Sequence, residues 1–393
     1  MREATYATAA CPLTNSVELH LEIEFTKTMD DFISDKKINE FRDLVNSNSG
    51  FVYQTYKNKD GKNLWNLICS CMDWLTVATR HLSKAEDLDS NIDIRVMQTF
   101  SLISSIDIIF ESINQLHRVF VNHKTLPFEG ESSCFDNRLF TEEDDNSYFK
   151  SIRACFGAHP VNLKHSNTKR FASWPFDSHF ESGELTVHLY SNKIGETDLV
   201  MHLKYSELLS FLKCRYEYLD VISEKIELAY SEFKDALSKQ PIEQKEDPLE
   251  QLNILKNESK FRLNNDYYNS IIDELIMIFE APPLDHSIEN LANNYRASLV
   301  PLITEIRENL QAMNISDLEK NYLLEPSSEL YKTLSYEIGK FYSWLQSNQY
   351  DPLANYYIER FNKSSNSKYK FSIEDSESSL LLKLKLMLID QDI

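Results

Sequence analysis

Glycine is scarce in this chain, with seven in 393 residues, whereas an average protein uses about 7%. The seven glycines are widely spaced, so neither GxGxxG nor GxxxxGK[ST] occurs. Loops that hold phosphate need clustered glycines, because their backbone N–H groups must approach the anion closely. The sequence therefore excludes a dinucleotide-binding Rossmann domain and a P-loop NTPase in their usual forms.

Metal-binding and targeting motifs are also lacking. The six cysteines form no CxxC, and HExxH is absent. The first 16 residues contain no apolar core of a signal peptide. No apolar run reaches the roughly 18 residues that span a bilayer, and the closest, Ser101–Phe120, carries four polar ionisable residues. We expect a cytoplasmic protein with reduced cysteines, no membrane association, and neither a metal nor a cofactor.

Charge is unevenly distributed along the chain. There are 41 Lys and Arg against 61 Asp and Glu, a net charge of −20, which repels nucleic acid over most of the surface. The segment Asn146–Phe176, here called the basic segment, contains no acid and five cations interleaved with aromatic residues. Cations beside stacking faces are what single-stranded nucleic acid requires. The candidate RNA-binding residues are Lys150, Lys164, His165, Lys169, Arg170 and Trp174.

Hydrophobic periodicity predicts an α+β chain that is predominantly α-helical, with an N-terminal helical bundle, a small mostly antiparallel sheet and a second helical region. The predicted helices cover 27–35, 36–57, 62–82, 91–122, 147–156, 206–238, 249–280, 286–314, 327–348 and 352–362. Strict alternation predicts strands at 17–25, 185–190, 199–205, 369–373 and 380–389. Glutamates on strand 17–25 and lysines on 380–389 favour pairing, so both are expected in one sheet with the 185–205 hairpin.

One spacing within the basic segment is of catalytic interest. Arg153 and His159 form an Arg-x5-His pair at the end of a short helix that follows a long one. This arrangement resembles the motif of the HEPN superfamily of helical domains, and the resemblance covers about residues 26–165. It divides the chain into a HEPN-like helical domain at 26–165 and a helical region with a small sheet at 166–393.

The resemblance implies an activity. Many HEPN proteins are metal-independent ribonucleases of toxin or phage-defence systems, so it implies RNA as substrate, Arg153 and His159 as catalytic residues, and a possible antitoxin or regulatory partner. Six helical steps place the two residues about 120° apart, so they converge only if the helix unwinds at Gly157 or if a homodimer shares the site. Family members often carry a polar residue after the arginine, whereas this chain has Ala154. A non-catalytic protein that docks an acidic partner on the basic segment is the alternative.

A polar stripe on the predicted helix 91–122 is a second candidate feature. Its members fall within about 60° on a helical wheel whose remaining circumference is mostly apolar, and they are Asp107, Glu111, Asn114 and Arg118. One interpretation is a solvent-facing strip with internal ion pairs. The other is a row of side chains that faces and orients Arg153 and His159.

Overall fold

The structure is a computed structural model. It describes residues 33–84, 88–136, 138–139, 142–156, 163–165, 168–174, 184–262, 264–314, 316–324, 329–347 and 351–389. For residues 163–165, 168, 184, 329, 346 and 347 only the backbone is described. The chain forms two compact units, Met1–Tyr230 and Ser231–Ile393. The sequence predicts a division after residue 165, whereas the compact units divide after Tyr230, inside a helix.

Helices make up most of the first unit. They are α1 (Asp35–Ser47), α2 (Ser49–Tyr56), α3 (Leu64–Leu82), α4 (Ile92–Phe120), α5 (Asp145–Phe156), α6 (Tyr205–Glu217) and α7 (Leu219–Ser238), the last of which crosses the unit boundary. Asparagine caps define two of the starts, since Asn63 accepts from a backbone N–H of α3 and Asn91 from two of α4. The helices predicted at 62–82 and 91–122 are confirmed.

Helix α4 is the central helix of this unit. Its length and apolar composition would allow it to cross a membrane, but 56% of the apolar window is buried inside the protein. It packs against α3, α5 and α6, and its Phe110 contacts Phe149 of α5 and Phe211 of α6 at ring distances of 5.8 and 5.4 Å. The apolar character of α4 is thus explained in large part by its place in the core.

A four-stranded antiparallel sheet completes the first unit, in the order β1 (Leu163–His165), β2 (Thr168–Ser173), β3 (Glu184–Ser191) and β4 (Leu199–Lys204). The predicted hairpin is confirmed, with Val187 opposite Met201 and Leu189 opposite Leu199. Alternate β3 residues are buried, as the period-2 pattern requires. Strands β1 and β2, which were not predicted, place part of the basic segment in the sheet.

The second unit contains α8 (Pro248–Arg262), α9 (Asp266–Glu280), α10 (His286–Gln311), a 3-10 turn (Asn321–Leu323), α11 (Glu329–Thr333), α12 (Ser335–Ser347), α13 (Ala354–Ser364) and α14 (Glu377–Ile389). Its core includes Tyr268, Leu275, Leu299, Phe341 and Phe361, all fully buried. The predominantly α-helical α+β class is therefore confirmed. Helices predicted as continuous at 206–238 and 249–280 are each divided in two.

The strand prediction for the C-terminus is wrong. Leu381–Leu388 lies in helix α14, and 369–373 forms no strand, so this region does not join the sheet. The prediction assumed that Lys383 and Lys385 face solvent opposite leucines, but both lysines are buried along with the leucines. Because every side of this segment is buried, the alternation of lysine and leucine does not indicate that one face is exposed, and so it does not indicate a strand. The predicted strand 17–25 lies outside the described residues.

Candidate active site

Arg153 occupies the last turn of α5, where it reaches across to α4. Its Nε lies 3.0 Å from Oδ2 of Asp107, and its side chain remains 54% exposed, whereas that of Asp107 is 16% exposed. Aromatic packing holds the two helices together, because Phe110 of α4 contacts Phe149 of α5 with ring centres 5.8 Å apart. The guanidinium is thus oriented by a carboxylate on a rigid helix while much of the side chain stays accessible.

Asp107 sits in an unusual environment for a carboxylate. Burial raises its pKa, Arg153 and Lys150 lower it, and Glu111 raises it further. Its Oδ1 is buried without a hydrogen-bond partner among the described residues. Arg153 and Lys150 thus offset part of the cost of burying this carboxylate.

The polar stripe of α4 does not act as one surface. Glu111 is half-buried and near enough to influence Asp107, whereas Arg118 is exposed on a later turn. Asn114 is buried, and its Oδ1 lacks a hydrogen-bond partner within the described part of the chain. Of the four stripe residues, the structure brings Asp107 against Arg153 and Glu111 beside Asp107.

The basic segment divides into exposed and buried members. Lys150 is exposed on α5, with its Nζ 5.8 Å from the ring centre of Phe110. Lys169 is exposed on β2. Trp174 is partly exposed and lies parallel to Phe156, with ring centres 6.4 Å apart. These side chains provide cations and an aromatic surface near the α5 end of the sheet.

Arg170 differs from its neighbours because it is buried. Its guanidinium donates to the carbonyls of Leu189 and Thr197 at 3.4 and 3.0 Å and pairs with Glu196 at 3.3 Å. It therefore holds the β3–β4 loop and is not presented to a phosphate. The sequence pattern could not separate it from Lys169, because the distinction depends on the face of β2 that each occupies.

Three other predicted site residues have side chains outside the described part of the chain. His159 lies outside the described residues, and α5 ends at Phe156. The backbone of β1 includes Lys164 and His165, but their side chains lie outside the described set. The structure therefore gives no distance between Arg153 and His159.

A buried polar network anchors the start of α5, and it was not predicted from the sequence. Asp145 is fully buried; its Oδ2 accepts from the N–H groups of Ser133 and Cys134, and its Oδ1 pairs with Arg138 at 2.9 Å. The next residue, Asn146, accepts from the buried Arg215 at 2.9 Å. The network fixes the helix that carries Arg153. Its partners lie up to 81 positions apart, so no local motif could reveal it.

Burial and hydrogen bonding also set the chemistry of Cys134 in this network. A hydrogen bond with Cys214 lowers the pKa of Cys134, burial opposes that effect, and Arg215 lowers the pKa further. Arg215 Nη1 lies 3.2 Å from its Sγ. Within the described ranges, no group of three or more His, Cys, Asp or Glu could hold a metal ion.

No family model matches this chain, and no curated protein or solved structure shows a significant similarity to it.

Proposed function

We propose that the protein is a HEPN-like, metal-independent endoribonuclease of a defence or toxin type. The observation that carries the proposal is the ion pair between Asp107 and Arg153 across α4 and α5. It orients a half-exposed guanidinium beside the acid-free basic segment of a chain that is otherwise strongly acidic. A fixed, accessible arginine at such a place suits stabilisation of a reacting phosphate.

The proposed reaction begins at a ribose 2′-OH. His159 removes the hydroxyl proton, the 2′-oxygen attacks the adjacent phosphorus, and the bond from phosphorus to the 5′-oxygen breaks as the protonated His159 gives its proton to that oxygen. The products are a 2′,3′-cyclic phosphate and a 5′-hydroxyl end. A histidine with a pKa near its ordinary value of about 6.5 suits both proton transfers. Arg153 stabilises the added negative charge on the phosphate, and Asp107 positions Arg153.

RNA would bind on the exposed members of the basic segment. Lys150 and Lys169 are proposed to contact phosphates because both are exposed, and the side chains of Lys164 and His165 are proposed to extend this surface. Trp174 offers a face on which a base can stack. Arg170 supports the hairpin from within, so its role in binding is indirect.

A homodimer is part of the proposal, since Arg153 and His159 would be completed by a second copy. The proposed interface involves residues 91–122 and 147–163. Helix α4 exposes Ile94 and Met97 near its start, which gives this region apolar contact area. Sedimentation at micromolar concentration should show a dimer. A monomer that cleaves RNA at full rate would contradict a shared site.

A matched pair of arginine variants tests the enzyme proposal. Arg153→Ala removes the proposed catalytic guanidinium. Arg80→Ala is its control, because Arg80 also lies in the last turn of a helix and pairs with an aspartate, Asp35, at an exposed position. On single-stranded RNA in EDTA, Arg153→Ala should lose activity and Arg80→Ala should keep it. Equal activity of both variants would overturn the assignment of Arg153.

The alternative, a non-catalytic protein that docks an acidic partner, is favoured by Ala154 beside Arg153 and by the neutralisation of Arg153 by Asp107. It predicts that the wild type binds an acidic ligand in a salt-sensitive manner but cleaves no RNA. Charge reversal at Lys150 and Lys169 should then weaken binding, while His159→Ala should have no effect.

A further inference from the structure

The second unit contains a cavity with a buried ion pair in its wall. The cavity has a volume of about 540 Å³, within the range of about 300–1,000 Å³ that is usual for small-molecule sites. Ser270, Asp273 and Tyr331 are exposed lining residues and lie at its mouth, whereas Leu381 and Lys385 of α14 are buried lining residues. The remaining described lining residues are Glu274, Met277, Leu324, Tyr342, Leu345 and Leu388.

Lys385 is the most informative residue of this wall. It is only 2% exposed, and its Nζ donates to Oε1 of Glu274 and to the carbonyl oxygen of Leu324. The ammonium has three N–H groups, and these two partners take two of them. Its Nζ also lies 5.4 Å from the ring centre of Tyr342, a contact weaker than a hydrogen bond from a charged donor, so an acceptor on a ligand can take the third N–H. Burying a lysine to this degree costs more free energy of folding than burying an apolar side chain of similar size. The other lining residues of the same helix are the leucines Leu381 and Leu388, so Lys385 is the exception in an apolar wall.

Glu274 supplies the acceptor next to this donor. The hydroxyl of Tyr342 donates to Oε1 at 3.2 Å, and burial together with Glu274 keeps the pKa of Tyr342 well above its ordinary value, so this hydroxyl remains protonated. No described residue donates to Oε2, which leaves an acceptor on a cavity-lining side chain. The wall thus offers one donor and one acceptor side by side.

The charges of the wall indicate an uncharged ligand. Glu274 neutralises Lys385, and Asp273 pairs with Lys256 at 2.8 Å. A phosphate or carboxylate group would therefore find no unneutralised cation among the described lining residues. Tyr331 and Tyr342 add aromatic faces to a lining that is otherwise mainly Leu and Met.

We propose that this cavity binds an uncharged heteroaromatic molecule of nucleobase or nucleoside size. The edge of the ring would accept from Lys385 and donate to Glu274, and its face would pack on the tyrosines and aliphatic side chains. Such a donor and acceptor pair matches the edge of a nucleobase, whereas a purely aliphatic ligand would leave both groups unpaired.

The test uses adenosine, guanosine, cytidine and uridine with the full-length protein, read by calorimetric titration and thermal unfolding. At least one nucleoside should bind with Kd at or below about 1 mM and, at ten times Kd, raise Tm by about 3 °C. Its 5′-monophosphate should bind more weakly. Absence of binding by all four nucleosides, or tighter binding of the monophosphate, would overturn the proposal.

Three variants locate the site. Met277→Trp fills the cavity and leaves the ion pair in place, so it should weaken binding at least tenfold in a folded protein. Lys385→Met should weaken it similarly. Lys383→Met is the matched control, because this lysine is buried on the same helix but pairs with Asp375 and does not line the cavity. Unchanged binding by Met277→Trp, or equal loss with Lys383→Met, would place the ligand elsewhere and contradict the proposal.

Discussion

Each unit holds one acid–base pair at its candidate site, and the two pairs differ in burial. In the first unit the arginine of Asp107–Arg153 is more than half exposed. In the second, the lysine of Glu274–Lys385 is almost completely buried. An exposed pair contributes little to stability, whereas removing one partner of a buried pair leaves a costly unpaired charge. The Asp107–Arg153 pair can therefore serve a ligand with little effect on the fold, whereas any change to the Glu274–Lys385 pair also affects the stability of the second unit.

Breaking the buried pair should have the largest effect. Lys385→Met leaves Glu274 without its cation and should lower the free energy of unfolding by about 3–5 kcal/mol. Hydrogen exchange of peptides from α9 and α14 measures this within the second unit. The double variant with Glu274→Leu should recover much of the loss, because no unpaired charge remains. If the double variant is less stable than Lys385→Met, the pair is not the source of the effect.

Removing Arg153 should affect rate rather than stability. Arg153→Ala should slow RNA cleavage by about 10²–10³, typical of one lost oxyanion donor, and change the free energy of unfolding by less than about 1 kcal/mol. Single-turnover cleavage and urea unfolding measure the two quantities. A large loss of stability with little loss of rate would assign Arg153 to the fold.

Lys169 and Arg170 are neighbours on strand β2, and the first is exposed whereas the second is buried. Arg170→Ala removes a buried guanidinium with three partners and should cost about 2 kcal/mol of stability. Lys169→Ala should leave stability unchanged but reduce the slope of log affinity against log salt by about 0.7. RNA titrations at several salt concentrations and thermal unfolding separate the two outcomes. Equal stability losses would contradict the buried and exposed assignments.

The smallest expected effect concerns pH and Asp107. Burial raises its pKa above the ordinary value of 3.8, so the folded state favours the protonated form. The associated stability is present below pH 3.8 and is lost as pH rises through the folded-state pKa. Asp107→Asn avoids that loss, so its stability relative to wild type should increase as pH rises through the folded-state pKa. Stability that instead falls relative to wild type as pH rises would show that pairing outweighs burial.

Periodicity alone predicted much of the first unit. Helix α4 and the β3–β4 hairpin were found because one face of each is consistently apolar. Helix α14 was predicted as a strand because Lys383 and Lys385 alternate with leucines, as residues on the exposed face of a strand would. In the structure both lysines are buried, and each binds a carboxylate and a backbone carbonyl in the interior. A local pattern carries no information on such distant partners.

Periodicity and residue spacing predicted only part of the candidate site. The wheel of α4 placed Asp107 on a polar stripe, and the structure brings that one stripe residue into an ion pair with Arg153. Whether the stripe orients both Arg153 and His159 stays a prediction, since His159 lies outside the described residues. The burial of Arg170 and Asn114 depends on tertiary packing and could not be read from spacing. The cavity of the second unit joins residues from α9 to α14, more than 100 positions apart, so composition gave no indication of it.

The chemistry of the RNA ends formed in EDTA distinguishes a HEPN-like ribonuclease from other nucleases and from a non-catalytic protein. Wild-type protein should convert single-stranded RNA to fragments with 2′,3′-cyclic phosphate and 5′-hydroxyl ends, and His159→Ala should form none while still binding RNA. Fragments with 3′-hydroxyl ends, cleavage that requires added metal, or equal product from wild type and His159→Ala would contradict the account.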